Sequence, residues 1–307
     1  MEGTAVLNVK IKKGALTALL CVVLCITGCG GKSEDVKENG GSRTEKKNLV
    51  ITTEDKGRTE QNGAAAPVQE FQAQAEKLAA DLPGGGECAV YVYGLVSGRE
   101  ASVNNKPMQS ASLIKLFIAA AVLEQKEKAE VQGSGSETDA LLKAMITVSD
   151  NEAANTLVKR LGAGDAAAGM NAVNAFAAAH GFADTHMGRL MLDFDAQDDN
   201  YTSVKDCGIF LQRLYRQQLA GAEQLTGLMK EQTRTGKIPA GVPAGTVTAN
   251  KTGELDTVEN DAALIWGEEE PYILCVMSEG LADAAAARDG IQKLSSALYE
   301  LMRSEAP

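Results

Sequence analysis

The spacing of apolar positions changes along the chain, and the changes mark out its elements. Across residues 113–123 every position but Lys115 is apolar, the mark of a helix buried on all sides. Upstream, Val68, Phe71, Ala75, Leu78 and Leu82 recur at helical spacing behind Pro67, which suits a first helical position, and Pro83-Gly84-Gly85-Gly86 ends that helix. Residues 88–95 and 101–104 then read as two strands joined at Ser97-Gly98. From residue 112 to about 230 the pattern is helical, over 112–127, 137–146, 152–161, 168–180, 203–218 and 221–231, with Gly162 and Gly181 closing two of the segments. After a turn rich in Pro and Gly over 238–245, residues 247–251, 261–266 and 272–278 read as strands. A last helix carries Ile291, Leu294, Leu298 and Leu301. Strands, helices and strands again predict an α+β protein whose sheet is assembled from both ends of the chain.

The first residues break from this pattern. Lys10, Lys12 and Lys13 precede an apolar run over 15–26, too short to span a bilayer comfortably, and the run ends in Thr27-Gly28-Cys29. This resembles a bacterial lipoprotein signal, which implies removal of residues 1–28 and a lipid on Cys29; an uncleaved anchor or a plain signal peptide stays open. Each alternative places the body of the protein outside the cytoplasm, and the lipid holds it to the membrane on the extracytoplasmic face. Residues 29–66 carry almost no apolar runs and, over 30–66, seven basic against seven acidic residues, so they are expected to form a disordered tether. Residues 1–29 contribute a net +2, so the −11 of the whole chain puts −13 on residues 67–307. An acidic domain with 4% aromatic residues excludes nucleic acid as a partner and does not seek anionic lipid.

Candidate chemistry begins with Ser112 and Lys115. Their spacing of three sets them on one helical face, where a buried lysine of lowered pKa can take a hydroxyl proton. The plain alternative is a capping serine and a snorkelling lysine. Ser149-Asp150-Asn151 lies between two helical segments, and Lys251-Thr252-Gly253 ends the first late strand, where glycine lets a ligand approach the backbone. Singly, each also fits a helix cap or a strand end.

Together, in this order, the three motifs resemble the serine β-lactamase and penicillin-binding protein superfamily, and the class A β-lactamases most. The resemblance spans residues 68–305, including Gly241-Val242-Pro243-Ala244-Gly245 and Asp261. It implies a β-lactamase/transpeptidase-like fold: a five-stranded antiparallel sheet flanked by helices, from residues 67–105 and 240–307, beside an all-helical subdomain over 106–239. It further implies that Ser112 is the nucleophile, that Lys115 moves its proton, and that Ser149 protonates the leaving nitrogen. Asn151 would hold the substrate's side-chain amide, and Lys251 with Thr252 its carboxylate. The N–H groups of Ser112 and Glu254, past Gly253, would form the oxyanion hole. The substrate would be a β-lactam or a D-alanyl peptide, the protein a monomer, with no cofactor and no metal.

One position departs from the family. Where class A enzymes carry Arg-x-Glu-x-x-Leu-Asn, this chain has Arg189-Leu190-Met191-Leu192-Asp193-Phe194-Asp195. Met191 stands where the glutamate activates the deacylating water, and a thioether accepts no proton from water. Slow deacylation is expected unless Asp193 or Asp195 substitutes. A penicillin-binding peptidase and a non-catalytic cell-wall-binding lipoprotein therefore stay open beside a β-lactamase. His180 and His186 fall in no metal-ligand or Ser-His-Asp pattern. With Cys29 lipidated, Cys88, Cys207 and Cys275 leave at most one disulfide; the family fold would set the strands of Cys88 and Cys275 side by side, while unpaired thiols are the alternative.

Overall fold

The sheet is indeed built from both ends of the chain. In chain order the strands are β1 (Glu87–Gly94), β2 (Glu100–Val103), the two-residue β3 (Met108–Gln109) and β4 (Tyr201–Thr202), then β5 (Val247–Leu255), β6 (Val258–Trp266) and β7 (Pro271–Glu279). The computed structural model describes residues 65–80, 82–130 and 133–304. Within them the long strands pair antiparallel in the order β2-β1-β7-β6-β5, and β3 with β4 forms a small ribbon of its own. The expected signal, Cys29 and the expected tether up to residue 64 lie outside the described residues.

Helices cover both faces of the sheet. They are α1 (Ala65–Ala80), α2 (Ile114–Glu124), α3 (Lys126–Glu130), α4 (Gly135–Thr147), α5 (Asn151–Leu161), α6 (Ala166–Ala179), α7 (Val204–Tyr215), α8 (Ala222–Lys230) and α9 (Ala284–Ser304). Pro67 is the third residue of α1 rather than the first; the lost N–H still falls in the first turn, where donors have no helical partner. Successive residues of β6 and β7 feed two cores. Ala262, Leu264, Ile273, Cys275 and Met277 join α2 and the other central helices, while Ala263, Ile265, Tyr272, Leu274 and Val276 meet the Phe71 face of α1 and Ile291, Leu294 and Leu298 of α9. Both strands are buried on both faces and so show apolar runs without alternation. Residues 114–123 of α2 are all buried, as a helix apolar all round requires.

Three expectations are corrected. The helix expected over 112–127 is a 3-10 turn over Ala111–Leu113 followed by α2 and α3. Lys251-Thr252-Gly253 lies inside β5, because pairing continues through Thr252↔Asp261 and Gly253↔Asn260 to Leu255↔Val258. The β1 and β7 strands of Cys88 and Cys275 do lie side by side, but Cys88 pairs with Ser278 and Tyr91 with Cys275. An offset of three residues turns the two thiols to opposite faces, so they form no disulfide. Cys88, Cys207 and Cys275 are free, and burial pushes each thiol up, Cys88 and Cys207 to about 12.

Candidate active site

Ser112 sits on the 3-10 turn at the mouth of α2, partly exposed. The residue before it, Ala111, has φ 45°, a left-handed conformation that costs a non-glycine residue roughly 1 kcal/mol and persists only when its surroundings fix it. They do. Ser110 N–H donates to the Asn200 carbonyl at 2.8 Å, and Asn260 on β6 donates from Nδ2 to the carbonyls of Gln109 at 2.9 Å and Ser110 at 3.2 Å. Gly253 of β5 packs so close that a Cβ there would lie 2.6 Å from the Ser110 carbonyl oxygen. Ser112 opens onto a crevice of about 480 Å³ whose lining also includes Asn151, Met191, Asn200 and Glu254.

Two lysines converge on one hydroxyl. Lys115 Nζ, fully buried, donates to the Ser149 carbonyl at 2.7 Å, to Ser149 Oγ at 3.2 Å and to Asn151 Oδ1 at 2.7 Å. Lys251 Nζ, fully buried as well, donates to Ser149 Oγ at 2.9 Å and to the Thr252 carbonyl at 2.7 Å. Ser149 reaches both because it too is left-handed, φ 62°, at the corner where Asp150 caps α5 through the Ala153 N–H at 2.7 Å. Burial, with help from the Arg234 charge, lowers Lys115 to about 8 against a partial offset from Asp150. Burial and then the Lys115 charge take Lys251 well below the ordinary lysine range. The hydrogen bonds of Lys115 go to Ser149 and Asn151 and not to Ser112, three residues before it.

The loop over 187–200 forms the opposite wall. Met191 is buried, and Asn155 of α5 clamps its backbone on both sides: Met191 N–H donates to Asn155 Oδ1 at 2.8 Å, and Asn155 Nδ2 to the Met191 carbonyl at 3.1 Å. Asp193 and Asp195 are exposed and do not line the crevice. Among the described residues its lining carboxylates are Asp199, Glu254 and Asp256. Asp199 is engaged by Arg189 Nε at 2.6 Å and Gln109 Nε2 at 2.9 Å. Glu254 turns toward cations, 2.6 Å from Arg234 and 3.1 Å from Lys237. His180 pairs with Glu124 and His186 with Asp198, each at 2.7 Å. Among the described residues no group of three His, Cys, Asp or Glu is placed to hold a metal.

Sequence reasoning missed Asn155, Asn200, Asn260 and Arg234. The signal for Asn260 was present: Glu259-Asn260-Asp261 opens an otherwise apolar strand, and all three are 2% exposed or less, which polar residues tolerate only when partnered. Asn155, on the buried face of amphipathic α5, carried the same signal.

An antiparallel five-stranded sheet beside a helical part, with a serine turn and two lysines meeting at their junction, defines the β-lactamase/transpeptidase-like fold class. A model of the beta-lactamase enzyme family matches residues 70–134 and 130–302, and the chain belongs to that family. Among solved structures, PBP-A superposes with a TM-score of 0.66 at 21% identity, over 76% of this chain and 96% of that one, which establishes the fold. An ancestral class A β-lactamase gives 0.63 at 26% identity, over 75% and 99%. The β-lactamase from Desulfarculus baarsii gives 0.63 at 25%, over 78% and 98%. No curated protein matches the chain.

Proposed function

We propose that the crevice transfers the acyl group of a β-lactam, or of a related D-alanyl cell-wall peptide, to Ser112. The observation that carries this reading is the Ser149 hydroxyl held between two buried lysines beside the Ser112 turn. At its lowered pKa a useful fraction of Lys115 is neutral near pH 7. A neutral Lys115 has two N–H groups and one lone pair, so it gives up one acceptor and takes the Ser112 proton as Oγ attacks the carbonyl carbon. The developing oxyanion is met by the N–H groups of Ser112 and Glu254, each donor contributing roughly 3 kcal/mol. Both lysines donate to Ser149 Oγ, so its own proton can pass to the leaving nitrogen while Lys115, now carrying the Ser112 proton, returns one to Ser149 Oγ. Asn151 then binds the substrate's side-chain amide, and Lys251 with Thr252 steadies the far end.

Water must finally remove the acyl group, and here the site is poor. Met191 supplies no base, Asp199 and Glu254 are already paired with cations, and Asp256 is an exposed carboxylate at the turn between β5 and β6. We therefore infer slow deacylation. This also supports a second reading, a penicillin-binding peptidase that holds β-lactams as long-lived acyl-enzymes; a mutant of PBP-A has been solved as an acyl-enzyme complex with penicillin G. A lipid on Cys29 that keeps the domain on the extracytoplasmic membrane face is part of the proposal and rests on the sequence pattern alone.

The test is intact-mass spectrometry of the full chain with benzylpenicillin, beside Ser112→Ala. The expected result is an adduct of the penicillin's mass on wild type alone that persists for hours. An adduct that decays as penicillin is consumed would establish a working β-lactamase. Absence of adduct would move the assignment to a non-catalytic binding lipoprotein.

A further inference from the structure

Next to the Ser112 crevice lies a hollow of about 250 Å³ lined by Arg234, Gly236, Lys237, Thr252, Glu254 and Arg288. Glu254 lines both spaces, so they meet at this residue. Thr252 and Glu254 are two apart on β5 and leave the strand on one face. Three cations face the hollow, and Glu259 offsets part of their charge from beneath, 2.7 Å from Lys237 and bonded to Arg288. Among the described residues Glu254 is the one carboxylate that lines the hollow, and both its oxygens are used: Oε2 accepts from Arg234, and Oε1 faces Lys237. The pair is sheltered, since the Lys237 side chain is 2% and the Glu254 side chain 30% exposed.

We propose that Glu254 is a resident anion in the cationic pocket of the site, so that acyl donors with a free carboxylate at this end, benzylpenicillin and D-alanyl peptides among them, react with Ser112 more slowly than their neutral or cationic counterparts. The inference rests on acyl transfer to Ser112 as proposed above. A cationic pocket at the end of a crevice draws negative groups by its field. In this chain most of that attraction is already spent within the protein, since Glu254 and Glu259 hold two of the three positive charges. An incoming carboxylate has to displace Glu254 and leave it unpaired beside the new charge, or bind without Arg234 and Lys237; an ester, a carboxamide or an amine meets neither penalty. The pocket thus acts against one class of substrate by occupation rather than by shape.

The experiment compares benzylpenicillin with its methyl ester, as second-order rates of Ser112 adduct formation read by intact mass, on wild type and Glu254→Gln. Glu254→Ser serves as a second variant should the first fail to fold. The expected result is an acid-to-ester rate ratio that rises by about tenfold or more in the variant, the ester serving as the internal reference for any change common to both substrates. An unchanged ratio overturns the inference. A parallel arm needs no serine chemistry: inorganic phosphate should raise the melting temperature of the variant and leave wild type unmoved. If no adduct forms on either protein, acyl transfer falls, and the phosphate arm alone decides. Stabilisation confined to the variant upholds Glu254 as the occupant, and equal or absent stabilisation overturns it.

Discussion

A lysine ammonium with no exposed surface is stable only where acceptors replace its water, and Lys115 has three. Its lowered pKa has a sign that acylation kinetics reads directly. Below about 8 the amine is protonated in the free protein and cannot take the Ser112 proton, so adduct formation should climb with pH and level off above 8. A flat profile between pH 6 and 9 would remove Lys115 from the proton path. The same burial costs stability below pH 8, where the folded state must hold a charged lysine; the cost lifts as pH rises toward 10.5, since the unfolded chain then binds the extra proton. At Met191 the missing group is a base. Met191→Glu places a carboxylate on the backbone that Asn155 already clamps and should shorten the adduct lifetime by about 100-fold or more. An unchanged lifetime would mean that no water sits within reach of that position. Ser112, Lys115, Ser149 and Lys251 were legible as candidates through the order of their three motifs and the resemblance that order carries; singly, only Lys115, alone in an apolar run, stood out. Arg234 was not, since an arginine between two threonines near a turn looks like any solvated residue; only the fold sets its guanidinium 2.6 Å from Glu254.

Elements were legible where a period was long enough to show. The 3.6-residue repeat of α5 and α9 and the apolar runs of β6 and β7 came through, whereas β3 and β4, two residues each, have no period to read. The β5 strand was cut short for a physical reason: Thr252, Gly253 and Glu254 after Lys251 carry no apolar side chain, and in a strand that usually means solvent. Here they face the buried Glu259, Asn260 and Asp261 across the ladder. That extension puts Gly253 against the Ser112 turn. Gly253→Ala forces a Cβ to within 2.6 Å of the Ser110 carbonyl oxygen and 3.2 Å of the Ser112 nitrogen. Either the strand or the turn must move, so the variant should lose about 1–3 kcal/mol in urea denaturation and most of its acylation rate. Full stability and full rate together would show that the close approach is not needed.

For the whole molecule, a buried polar layer ties the sheet to the segment after α8. Asp261 accepts from Asn250 Nδ2 at 3.0 Å and from the Ile238 N–H at 3.0 Å, and Lys237 bridges Glu259 and the Asn260 carbonyl. Burial, opposed by the Lys237 charge, raises the Asp261 carboxyl to about 6 from 3.8. The folded protein therefore holds this proton more tightly than the unfolded chain does. Its contribution is full below pH 3.8 and is lost as pH rises through 6. Glu254 and Glu270, with lowered values, run the other way. The difference in unfolding free energy between wild type and Asp261→Asn isolates the term: wild type should lose ground to the variant as pH goes from 4 to 6.5. A constant difference over that range would place the Asp261 titration elsewhere.

The pairing of β1 with β7 has a consequence in time as well as in space. A ribosome that has finished Gly94 must add roughly 180 residues before Pro271 appears, on the order of ten seconds or more at ordinary elongation rates. For that interval β2 is the one strand among the described residues that β1 can pair with, and a two-stranded hairpin is marginal in water. Only the arrival of the last strand converts the chain into a sheet, so a nascent polypeptide stays pliable until synthesis is nearly over. A premature stop anywhere before residue 271 leaves an open edge on β1.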